Sequence, residues 1–107
     1  MAETTRKILY SPGFGAGWTT WNRGAVAQYM LTFQPIIEAI ERGERMHEHH
    51  PAVEQLKRDC QEKFDEEYVC VLGADDLIVK EVGGRVRIHD YDGSESVEEE
   101  GAYQGWL

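Results

Sequence analysis

A chain of 107 residues has the size of one domain, and 41% hydrophobic residues with three Trp, five Tyr and three Phe furnish a core without disulfide or metal. A net charge of −9 opposes direct DNA or RNA binding and contact with anionic membranes. No stretch approaches the roughly 20 apolar residues of a membrane span, and residues 1–7 carry charge with no signal-like apolar run behind them, so a soluble, non-exported protein is expected.

Lys7, Ile8, Leu9 and Tyr10, closed by Ser11, Pro12 and Gly13, predict a strand entering a turn. The loop that follows combines Gly13, Gly15, Gly17 and Gly24 with Phe14, Trp18 and Trp21. From Val26 through Tyr29, Met30, Phe33, Ile36, Ile37 and Ile40 the apolar period is that of a helix. Pro35 interrupts it and predicts a kink or two short helices, and Gly43 ends it. Residues 44–50 form a polar connector. Pro51 suits the first turn of a second helix, whose buried stripe is Val53, Leu56, Cys60 and Phe64 and whose end falls near residues 65–67.

Tyr68, Val69, Cys70, Val71 and Leu72 predict a buried strand stopped by Gly73. Residues 77–82 and 85–90 flank Gly83 and Gly84, a two-residue hairpin signature. Arg85, Arg87 and His89 alternate with Val86 and Ile88, which gives that strand a polar face. Asp92 and Gly93 make a further turn, and the remainder, from about residue 92 to 107, reads as acidic and irregular. The expected fold is therefore one α+β domain over residues 1–107: a small antiparallel sheet of three to four strands packed by two helical segments, one kinked.

Cys60 and Cys70 sit in apolar contexts, fit no zinc spacing and read as small core residues of a protein in a reducing, cytoplasmic setting. Asp90, Asp92, Glu95, Glu98, Glu99 and Glu100, with no Lys or Arg after Asp90, place six of the net negative charges in the last 18 residues. Such a run is either a solvated face or a surface that imitates nucleic acid to a basic partner.

A strand followed by glycines at alternate positions resembles a phosphate cradle, where backbone N–H groups meet an anion. The spacing is neither G-x-G-x-x-G nor the P-loop pattern, which excludes ordinary dinucleotide or ATP binding. A different ligand loop is consistent with the residues: Phe14, Trp18 and Trp21 to stack a base, Gly15 and Gly17 for close backbone approach, and Arg23 for a phosphate. Arg85, Arg87 and His89 would add donors from the hairpin. The alternative is a loop that packs over the sheet. His47, Glu48, His49 and His50 do not form H-E-x-x-H and lack a third ligand, so no metal is expected. Aligning Gly93 with a calcium loop puts Ile88 at the first ligand position, which rules that site out. Ser11, Ser94 and Ser96, with His89 as a base, show no nucleophile elbow, and no carboxylate lies in an apolar context; no enzyme activity and no cofactor are expected.

Three segments (residues 7–18, 69–77 and 87–96) together resemble small proteins of phages and prophages, over almost the whole chain. No residue role is carried over from that group. The resemblance implies a counter-defence context in the host cytoplasm, by one of two mechanisms. One is a sponge, commonly homo-oligomeric, that sequesters a small anionic nucleotide signal. The other is an acidic inhibitor that docks on a basic surface of a host defence protein or CRISPR effector.

Overall fold

The computed structural model describes residues 5–13, 17–83, 86–91 and 94–99. Its first strand, β1 (Arg6–Tyr10), buries Ile8 and Leu9 completely. Two short helices follow, α1 (Gly24–Leu31) and α2 (Gln34–Glu41), then the longer α3 (Pro51–Phe64). The remaining strands are β2 (Ile78–Val82), β3 (Val86–Tyr91) and β4 (Ser94–Glu99). The chain is α+β, with its strands in two antiparallel pairs, β1 with β2 and β3 with β4.

The break between α1 and α2 falls where Pro35 demands it. Proline has no N–H to donate and fits the first turn of a helix, so α2 begins one residue before it. Gly43 closes α2 in a left-handed conformation, φ +90°. Its N–H donates to the Ile40 carbonyl at 2.9 Å and that of Glu44 to the Ala39 carbonyl at 3.0 Å, which satisfies two otherwise unpaired helix-end carbonyls. His50 caps α3 by accepting from the Ala52 N–H at 3.0 Å.

The helices close over β1. Trp18, Met30, Phe33, Ile36, Ile37, Val53, Leu56 and Cys60 form the centre of the core. Tyr29 packs its ring at 5.4 Å from Phe33 and 5.6 Å from Phe64, and its hydroxyl donates to Asp59 Oδ2 at 2.8 Å. Burial, with Asp59 beside it, pushes the Tyr29 phenol up to about 12. Burial likewise raises the Cys60 thiol, as suits a core residue. Cys60 and Cys70 are both free and buried. No helix among the described residues is long and apolar enough to cross a membrane.

Three local expectations are corrected. Gly83 does not turn a hairpin: β2 pairs with β1, in register from Arg6 with Val82 to Tyr10 with Ile78, and β3 belongs to a separate sheet; Gly84 lies outside the described residues. The hairpin is β3–β4 instead, with Val86 opposite Glu99 and Tyr91 opposite Ser94, and residues 94–99 are strand where irregular chain was expected. Its turn, Asp92 and Gly93, lies outside the described residues, as do residues 100–107. The apolar run at residues 69–71 is buried but is no strand; it leads into a 3-10 turn, Leu72–Asp76. Its backbone finds a side-chain partner instead, Asn22.

Candidate functional site

Beyond β1 the chain leaves the sheet at Ser11 and, past Gly17, enters a 3-10 turn, Thr19–Trp21. The backbone N–H groups of such an open loop have no strand or helix neighbour and must find another acceptor. That acceptor is Glu95. The side chain, on a residue 2% exposed, reaches from β4 into the loop. Its Oε1 accepts from the Ser11 N–H at 2.9 Å. Its Oε2 accepts from the N–H groups of Trp18 at 2.6 Å and Thr20 at 3.0 Å, and from the Thr20 hydroxyl at 2.5 Å. Burying a carboxylate is costly unless its lone pairs are used, and here three amides and a hydroxyl use them.

Neighbouring bonds fix the same junction. The Glu95 N–H donates to the Ser11 carbonyl at 2.8 Å, and the Ser94 hydroxyl to the Pro12 carbonyl at 2.7 Å. Gly17 allows the close approach, since a Cβ there would stand 2.5 Å from Thr20 Oγ1 and 3.0 Å from Glu95 Oε2. Ser11 is wholly buried, and its hydroxyl has no hydrogen-bond partner among the described residues. Asn22 ties the back of the loop to residues 69–71. Its amide donates to the Trp18 and Cys70 carbonyls at 2.8 and 3.0 Å, and its oxygen accepts from the Cys70 N–H at 3.0 Å.

The expected ligand residues are dispersed. Trp18, expected to face a guest, is instead interior: it has 0% exposure, and its ring N–H donates to the Met30 carbonyl at 3.1 Å, so neither face is open to a base. Trp21 is 41% exposed, and its ring N–H points to Asp90 Oδ2 at 3.3 Å, linking the loop to β3. Arg23 is exposed at the start of α1, beside a depression of about 180 Å³. The lining there is Asn22, Arg23, Val26, Glu66 and Tyr68, without a residue of the hairpin. That volume is below the roughly 300 Å³ at which ligand pockets begin. Arg87 and His89 lie on β3 with exposed side chains, and His89 Nε2 stands 2.5 Å from Glu98 Oε1. Phe14, Gly15 and Arg85 lie outside the described residues. Among the described residues no group of three or more His, Cys, Asp or Glu is placed to hold a metal ion.

No family model, no curated protein and no solved structure matches the chain.

The residues that build the junction (Glu95, Thr20, Ser11 and Asn22) were absent from the expected site. Glu95 is concealed in sequence by its acidic neighbours. The only signal for it is indirect: a glycine-rich loop rich in free amides calls for an anion, and the chain itself carries one.

Alternation along the hairpin divides its two faces. Glu95, Ile88, Val97 and Asp90 share one face, which carries Glu95 into the loop, while Arg87, His89, Tyr91, Ser94, Ser96 and Glu98 share the other, where Ser94 still reaches the Pro12 carbonyl. On that second face Tyr91 is 78% exposed. The strand pair is thus anchored by a buried carboxylate and displays an aromatic ring at the end of β3.

Proposed function

We propose that this chain is a small non-enzymatic binding protein that docks through the β3–β4 hairpin on a basic surface of a protein partner. The observation that carries this reading is the anchored display of the hairpin. Glu95 holds it to the body from within, while Tyr91 and Glu98 stand on its outward face. Tyrosine is enriched at binding hot spots because it offers a large contact area at small entropic cost. The net charge of −9 favours encounter with a basic surface. The resemblance to phage proteins adds the partner class, a host defence protein. Sequestration of a small anionic nucleotide is the rival proposal. It would require the loop donors to be released from Glu95, or a site built with residues 14–16.

Two measurements separate them. Wild-type protein immobilised and passed over a bacterial lysate should retain a partner at low salt and release it near 0.5 M salt, where the Debye length falls to roughly 4 Å. Tyr91→Ala and Glu98→Gln together should abolish that capture while leaving the melting temperature within a few degrees of wild type. A thermal-shift screen against cyclic and linear nucleotides should be flat. A rise of several degrees with one nucleotide, and capture indifferent to the hairpin substitutions, would reverse the choice.

A further inference from the structure

We propose that Ser11 and residues 17–20 form a carboxylate-binding cradle in its own right, of which Glu95 is the built-in occupant. The donor set is complete without the rest of β4: three backbone N–H groups, of Ser11, Trp18 and Thr20, and the Thr20 hydroxyl converge on two oxygen positions. Oε1 takes one donor and Oε2 takes three, an arrangement matched to a planar two-oxygen group. The space is kept open by Gly17, where a Cβ would press on Thr20, Trp21 and the carboxylate itself.

The occupant arrives on a separate sheet. The hairpin shares no strand pairing with β1–β2, and the Glu95 side chain is its buried member among those described. A carboxylate offered by another molecule is chemically equivalent to that of Glu95 once the latter is removed. The ligand class is thus a small monocarboxylate of the size of formate or acetate. A tetrahedral phosphate is larger than the planar group the donors surround. This inference stands apart from the docking proposal, since it concerns the inner face of the hairpin and needs no protein partner.

The test is rescue of the Glu95→Ala protein by acetate. The variant should melt well below wild type in sodium chloride. Acetate at ten times its dissociation constant should raise its melting temperature by about 6 °C over chloride of equal ionic strength. Phosphate should do less, and wild type, with its cradle filled, should not respond. Should Glu95→Ala prove unfolded in chloride, recovery of native tryptophan emission with acetate is the corresponding supportive result. Equal behaviour in acetate and chloride, whether read by melting or by emission, overturns the proposal. Glu95→Gln supplies an independent check by amide NMR: the Ser11, Trp18 and Thr20 resonances should move together, and the proposal is equally lost if they stay in place.

Discussion

Glu95 and Gly17 meet at the point where the loop, the hairpin and the core touch. A buried acceptor with four donors makes each donor dependent on it, so loss of one partner leaves polar groups unpaired at roughly 1–3 kcal/mol each. Gly17→Ala acts on the same junction from the other side. The added methyl would lie 2.7 Å from Trp21 Cδ1 and 2.5 Å from Thr20 Oγ1, and the loop must shift to admit it. Overpacking of this kind costs about 1–3 kcal/mol, so a drop in melting temperature of about 4 °C or more is expected by calorimetry. A fall no larger than that of an exposed Gly→Ala change would mean that the loop relaxes freely. Gly17 was expected to admit a ligand, and the groups that crowd it are instead the chain's own Thr20, Trp21 and Glu95. Its neighbour Trp18 was not legible as interior, because an aromatic beside glycines suits a core and a ligand wall equally. The Trp18 ring N–H decides it, by satisfying the Met30 carbonyl in the last turn of α1.

Among the elements, the helices were the most legible and the strand pairings the least. Helix periodicity is local, and Val26, Met30, Ile36, Ile37, Val53, Leu56 and Cys60 bury as their spacing requires, while Phe64, expected in the same stripe, is 36% exposed at the end of α3. Pairing is a long-range choice. The Gly83–Gly84 signature predicts that β2 and β3 pair with each other, whereas β2 takes β1, some seventy residues away, and β3 takes β4. Residues 69–71 show how a buried apolar run escapes strand assignment. Asn22 supplies to Cys70 the donor and the acceptor that an adjacent strand would have supplied. Asn22→Ala removes both and also strips the Trp18 carbonyl of its partner. A loss of about 1–3 kcal/mol follows, to be read as a lower urea midpoint at unchanged slope. Asn22→Asp keeps the acceptor but not the donors and should fall between the two. An Ala variant as stable as wild type would show that water replaces the side chain at no cost.

For the whole molecule, pH dependence is set at opposite ends of the scale by separate contacts. The folded state holds the Tyr29 proton up to about 12 against 10.0 for the free phenol, chiefly through burial and then through the Asp59 hydrogen bond. The associated stability is therefore complete below pH 10.0 and drains away as pH climbs towards 12. Melting temperatures of Tyr29→Phe should decline less steeply than wild type across that window; identical slopes would assign the alkaline loss elsewhere, to the buried Cys60 thiol or to Lys7 with Glu41. Lys7 too is raised, through its bond to Glu41, with stability lost above its ordinary 10.5. At the acid end Glu44 is held below its usual 4.5 by Arg42 and then His50, so its contribution is present above 4.5 and disappears as pH falls through the lowered value. Being exposed, these ion pairs contribute little beside the core. The α+β class and the division of the helices were thus open to sequence reasoning, whereas the use of an acidic residue as an interior ligand was not.

The bond between Ser11 and Glu95 spans 84 positions of sequence. During synthesis the amides around Ser11 emerge early and must wait, solvated, until nearly all of the chain has followed. Closure of this junction is accordingly a late event, governed by the search of a segment distant in sequence for its seat. Termination between β3 and β4 would release a product that keeps all three helices and the β1–β2 pair but has a permanently unstoppered loop, and such a fragment should be cleared by proteases sooner than the full chain.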